Sequence, residues 1–169
     1  MKKEGTCCIV GHFPTNLPFG IKENDERCIR LKELLKQEIS TMIRDRNVKH
    51  FLCPMNPGAE LFAAEIIEGL QSSGENITLT AVLPYELQAE DWSEDSRNRF
   101  FECVRKCNKE KLLQTHYDDT CIAKNIQFMI DASDCVIAVW NGILGNVSFT
   151  VQLANEKGIP VTVIDPTLI

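Results

Sequence analysis

The chain has 169 residues, 44% of them apolar and 25% charged, with a formal net charge of −6. That length fits one domain over 1–169, with a core large enough to need no disulfide or metal staple. The composition excludes a disordered chain and a fibre. The acidic balance argues against nucleic acid or an anionic membrane as partner. No run of about 18 apolar residues exists, so no membrane span is expected. The apolar stretch after Lys3 is too short for a signal-peptide core. The eight cysteines fall mostly in apolar or amphipathic runs, as reduced, buried thiols do, and together these features point to a cytoplasmic protein.

Short apolar runs alternate with helical periodicity along the chain. Cys7 to Val10 reads as a strand ending at Gly11, followed by turn residues from His12 to Gly20. Cys28, Leu31, Leu35, Ile39 and Met42 recur at spacings of three and four, one face of a helix of about five turns. His50 to Cys53 is a second strand, halted by Pro54. Leu61, Ala64, Ile67 and Leu70 mark a second helix, and Ile77 to Leu83 a third strand. Ser93 is placed to cap a helix with Phe100, Phe101, Val104 and Cys107 on its apolar face. A brief strand at Leu112 and Leu113 precedes a helix carrying Ile122, Ile126, Met129 and Ile130. Cys135 to Trp140 is the continuous apolar run of a strand covered on both faces. A helix from about Ser148 to Lys157, stopped by Gly158, leads into a last strand, Pro160 to Ile164.

This alternation predicts an α/β fold with an open, mostly parallel, doubly wound Rossmann-like sheet and helices on both faces. A flavodoxin-like sheet of fewer strands is the alternative. In such sheets ligands bind outside the carboxyl ends of the strands. Three loops occupy those ends: Gly11-His12-Phe13-Pro14, then Pro54 to Glu60, then Asn141 to Ser148. In the second loop Asn56 suits an N-cap and Pro57 the first helical position. Gly58 lets another backbone or a ligand come close. Glu60 either compensates the helix dipole or accepts hydrogen bonds from ribose hydroxyls. In the third loop Gly142 and Gly145 precede a helix bearing Ser148 and Thr150, a turn able to aim N–H groups and hydroxyls at a phosphate.

Neither a Gly-x-Gly-x-x-Gly nor a Gly-Lys-Ser/Thr phosphate loop is present, and no Gly-x-Ser-x-Gly nucleophile elbow. His12 sits in a candidate ligand loop, whereas His50 begins a strand and reads as structural. Cys103, Cys107, His116 and Cys121 lack the spacing of a two-knuckle zinc site, so no metal is expected. The acidic stretch around Trp92 reads as a solvated helix start.

At these loops the sequence resembles the YpsA-like branch of the SLOG superfamily, the Rossmann-like group that includes DprA and LOG proteins. The likeness is carried by Gly11-His12-x-Pro14, Leu17-Pro18-Phe19-Gly20, Asp25-Glu26-Arg27-Cys28, Cys53-x-Met55-x-x-Gly58-x-Glu60 and Ala64-Glu65. It continues through Pro84, Gln88-Ala89, Trp92-Ser93, His116-Tyr117, Cys121, Met129-x-Asp131 and Ile137-Ala138-Val139-Trp140-Asn141-Gly142. The resemblance implies a Rossmann-like domain that binds or senses a nucleotide-derived ligand. Within the superfamily some relatives cleave N-glycosidic bonds and DprA-like members bind single-stranded DNA. This chain has Phe13 where the family has a basic residue, and Gly145-Asn146-Val147 in place of Gly-Gly-Thr. Val151 and Gln152 stand near the place where glycosidase-type relatives carry a Glu, and Gln serves neither as nucleophile nor as base.

The expected function is therefore binding of a nucleotide-derived small molecule through a modified pocket. An N-glycosidic hydrolase or transferase and a DprA-like single-strand binder are the alternatives. A domain that has lost its ligand is the bland one. His12 and Pro14 shape one wall, Asn56, Gly58 and Glu60 hold the sugar, and Asn141, Gly142, Gly145, Asn146 and Ser148 face the phosphate or its substitute. Trp92 stacks on a base or packs as a lid. Glu60 is the best candidate for any catalytic role; no cofactor is expected, and self-association stays open.

Overall fold

The computed structural model describes residues 4–169. Six strands, β1 (Thr6–Gly11), β2 (His50–Cys53), β3 (Thr78–Leu83), β4 (Lys109–Leu112), β5 (Cys135–Val139) and β6 (Val161–Ile164), form one sheet in the order β4-β3-β2-β1-β5-β6. Every neighbouring pair is parallel. The chain lays β1 to β4 outward to one edge, then crosses back to set β5 against the other side of β1. The point where the strand order reverses thus lies between β1 and β5. This order excludes the flavodoxin-like alternative, in which the third strand lies beside the first.

β1 and β5 are buried at every residue, because helices cover both faces. Alternate side chains part to two cores. Cys7 and Ile9 join the face covered by α1 (Glu26–Asp45), α2 (Ala59–Ser72) and α3 (Glu94–Lys106). Cys8 and Val10 join the face covered by α4 (Cys121–Asp131) and α5 (Asn146–Glu156). The predicted stripe of α1 is buried at all five positions, and Asp25 caps the helix by accepting the N–H of Arg27 at 2.9 Å. Ser93 caps α3, its Oγ accepting the N–H of Ser96.

Several boundaries differ from the sequence reading. On α3 Phe101 is exposed and Cys103 takes its place in the core, since Phe100 and Cys103 share a face at three-residue spacing and Phe101 is rotated away. β4 runs Lys109–Leu112, not Leu112 and Leu113; it is an edge strand exposed throughout, which leaves it no apolar run to detect. α5 starts at Asn146, two residues before Ser148. All eight cysteines are free thiols, seven of them buried and Cys107 half-buried. Among the described residues no helix is long and apolar enough to cross a membrane.

Candidate functional site

The loop after β2 makes a tight turn before α2. Met55 adopts φ 67°, a left-handed conformation uncommon for a side chain of its size, and is wholly buried. Gly58 follows at φ 91°, and a Cβ there would lie 2.5 Å from the carbonyl oxygen of His12. The missing side chain lets α2 begin directly under the loop after β1, where the N–H of Ala59 donates to that same carbonyl at 3.1 Å. The expected capping is corrected here. Gly58, not Asn56, is the N-cap, and Pro57 lies before the helix.

Glu60 takes over part of the capping. Its Oε2 accepts the N–H of Asn56 at 2.9 Å and its Oε1 the N–H of Gly11 at 3.2 Å, so one carboxyl joins two strand ends. The side chain is 4% exposed. Burial pushes its pKa up to about 8, against the pull of the two backbone N–H groups. Near neutral pH the carboxyl therefore holds its proton for most of the time and presents an O–H as well as lone pairs.

The loops after β1 and β5 meet through His12. Its backbone N–H extends the ladder to Val139. Its Nε2 lies 2.9 Å from Asn141 Oδ1 and 3.2 Å from the Asn141 backbone N. The Nε2–H tautomer donates to the first and the Nδ1–H tautomer accepts from the second. Burial holds the imidazole below its ordinary pKa, which favours the neutral ring. Asn141 Oδ1 also accepts the N–H of Ile143, and the Trp140 indole donates to the Ile143 carbonyl at 2.8 Å, so the third loop is braced at both ends.

A cavity of about 280 Å³ opens at this point, close to the lower end of the usual range of ~300–1,000 Å³ for ligand pockets. Gly11, His12, Asn56, Glu60, Trp92, Gly145 and Asn146 line it, together with Thr150. Trp92 also packs edge-on against Phe100, so it is both wall and core. Five expected residues stand behind or beside the wall. Pro14 opens a short 3-10 turn, Pro14–Asn16, and lies against Gly58. Asn141 holds His12. Gly142 sits in an exposed turn. Ser148 spends its hydroxyl on Gly145, accepting from its N–H at 2.7 Å and donating to its carbonyl at 2.8 Å.

Sequence reasoning missed the wall supplied by α4 and by the segment after β3. Ile122, Asn125, Ile126 and Met129 line one side, and Pro84, Tyr85 and Gln88 another. Asn125 carried a readable signal: a polar residue at four-residue spacing between Cys121 and Met129, on a face otherwise buried. His50 is structural as expected, its Nδ1 2.7 Å from Thr78 Oγ1. The paper zinc set does not assemble: among the described residues no three His, Cys, Asp or Glu side chains are grouped to hold a metal.

With this geometry in place, comparison with known proteins becomes informative. The fold is similar to that of DNA processing protein A (DprA) from Streptococcus pneumoniae, with a TM-score of 0.63 at 12% identity over 96% of this chain and 51% of that one. It is also similar to DprA from Helicobacter pylori, with a TM-score of 0.60 at 14% identity over 95% and 65%. The chain thus spans about half to two thirds of the length of these structures. The Helicobacter protein is described by its single-stranded DNA binding mode. That corrects the expectation against nucleic acid drawn from net charge, because a protein of similar fold binds single-stranded DNA. Among sequence relatives, a UPF0398 protein of Bacillus cereus strain G9842 is 27% identical over 155 residues, 89% of this chain and 82% of the relative. One from Bacillus thuringiensis strain Al Hakam is 26% identical over the same shares. The model of the YspA SLOG family (YpsA) matches residues 7–166, the span that holds the whole sheet but one residue, and the chain belongs to that family.

Proposed function

We propose that the cavity at the β1/β5 switch point binds a nucleotide-derived small molecule. The observation that carries this reading is the placement of Glu60, a buried carboxyl held by two backbone N–H groups on the wall of a cavity at the carboxyl ends of the strands. In this reading Glu60, Asn56 and His12 meet the sugar hydroxyls, Trp92 covers the base, and the start of α5 at Gly145 and Asn146 faces the outer end of the ligand. Pro14, Gly58, Asn141, Gly142 and Ser148 hold those groups in place. Glu60 is the one acid on the wall among the described residues, and binding proceeds without turnover. The buried thiols suit a cytoplasmic setting. A thermal-shift panel of nucleosides, nucleotides, NAD and ADP-ribose tests the reading, since selective binding raises the melting temperature. Glu60→Gln weakens the response. Release of free base that Glu60→Gln abolishes instead makes the protein a glycosidase.

A second reading is favoured by the fold shared with DprA: the cavity receives one nucleotide of a single strand. Fluorescence anisotropy with a labelled single-stranded oligonucleotide separates the two. Single-strand binding falls steeply with salt and resists competition by free nucleosides.

A further inference from the structure

The cavity wall contains no Lys or Arg among the described residues. Phosphate sites are built from such cations or from a helix start with free N–H groups. Here burial lowers the pKa of His12, the N–H of Gly145 is already given to Ser148 Oγ, and what is left to face a phosphate at the α5 start is uncharged backbone alone. What the wall offers instead is unspent acceptors. Gln88, 6% exposed, gives its Nε2 to the Pro54 carbonyl at 2.7 Å and to Asn56 Oδ1 at 3.1 Å. Its Oε1 is the one buried side-chain oxygen or nitrogen without a partner among the described residues. Asn125, 3% exposed, gives Nδ2 to the Val82 carbonyl at 2.8 Å, which leaves Oδ1 as its remaining acceptor. A buried acceptor without a donor calls for one from a ligand.

Building on the proposed binding of a nucleotide-derived molecule, we infer that the ligand is an uncharged nucleoside with an amine-bearing base. The base enters with its exocyclic amine toward Gln88 and Asn125, and a 5′-phosphate adds nothing to affinity. The amine supplies the donor that Gln88 Oε1 lacks, with Asn125 Oδ1 as a further acceptor on the wall, and the apolar side chains of Ile126 and Met129 take the ring. A keto base in the same place sets an oxygen against these acceptors.

Isothermal titration calorimetry with adenosine, cytidine, inosine, uridine, AMP and CMP tests the inference on the full chain. Adenosine or cytidine is expected to bind at least tenfold more tightly than its keto counterpart, and no more weakly than its own monophosphate. Tighter binding of the monophosphates, or equal binding of the keto bases, overturns the inference while the binding reading stands. No binding by any of the six overturns the inference, and no binding by NAD and ADP-ribose as well overturns the binding reading with it. Gln88→Leu is expected to erase the amine preference. Because Gln88 also holds the Pro54 loop, a fold-safe variant is used beside it. Leu144 lines the mouth of the cavity and is 93% exposed, so Leu144→Lys adds the missing cation without touching the core. It is expected to raise the ratio of AMP to adenosine affinity at least fivefold, and an unchanged ratio overturns the inference.

Discussion

Glu60 accepts the N–H of Gly11 from 49 residues further along the chain, which ties the carboxyl end of β1 to the first turn of α2. That N–H favours the charged carboxylate, but the cost of burying the charge outweighs it, so the neutral carboxyl is the form the fold prefers. The folded-state pKa, about 8, lies above the ordinary carboxylate value of 4.5. The stabilisation is therefore full below pH 4.5 and is lost as pH rises through 8. Glu60→Gln brings an amide donor against one of two backbone N–H groups and costs about 1–3 kcal/mol at pH 5. Urea unfolding at pH 5, 7 and 9 should show that gap narrowing as pH rises; a constant gap would mean that Glu60 ionises normally.

The network around Arg99 responds to pH in the opposite sense. Arg99 pairs with Glu23 at 2.6 Å and with Glu65, and Lys32 also holds Glu23. These contacts lower the Glu23 pKa to about 2, so their contribution is present above pH 4.5 and lost as pH falls through 2. Each of the four groups is about one third exposed, which reduces the gain through solvent screening. Arg99→Met should cost about 1–2 kcal/mol at pH 7, between the surface and buried limits. That cost should shrink in acid unfolding toward pH 2.

Gly58 and Gly142 both have positive φ, 91° and 89°, but only Gly58 is crowded. Gly142→Ala meets open space and pays for backbone strain alone, about 1–2 kcal/mol. Gly58→Ala adds a clash with the His12 carbonyl and should cost about 1–3 kcal/mol more. Equal melting temperatures for the two variants would refute the close approach of α2 to the first loop.

Thiol chemistry reports on the core. Burial pushes Cys103 and Cys107 up to about 12, and Cys8 and Cys53 are raised as well. A disulfide exchange reagent at pH 8 should label at most one thiol, half-buried Cys107, within minutes, and all eight after denaturation. Rapid labelling of two or more in the native protein would contradict the burial of the other seven thiols.

The sheet was readable because buried parallel strands are short apolar runs, and α1 because its stripe keeps strict spacing. β4 was poorly placed because Lys109-Glu110-Lys111 on an open edge has no pattern to detect. The start of α2 was misread for a different reason. Asn56-Pro57 has the local chemistry of a cap, but a long-range contact, Gly58 under His12, decides where the helix begins. In the site, the residues on strand-end loops were legible from topology. Asn125 is marked as a polar residue on a buried helix face, but its place in the pocket, like that of Gln88, depends on which elements meet at the reversal of strand order, and one-dimensional spacing does not encode that.

That reversal also orders events during synthesis. β1 to β4 end at Leu112, whereas Cys7 pairs with Cys135, 128 residues later. The β1–β5 pairing closes a longer loop than any pairing among the first four strands, at an extra entropy cost that grows only slowly with length. As the chain leaves the ribosome, the side of β1 that faces β5 waits uncovered until Cys135–Val139 has been made, and His12 waits with it for Asn141. The pocket thus cannot form until β5 has been made, and a nascent chain stalled before β5 carries four of the six strands without a binding site.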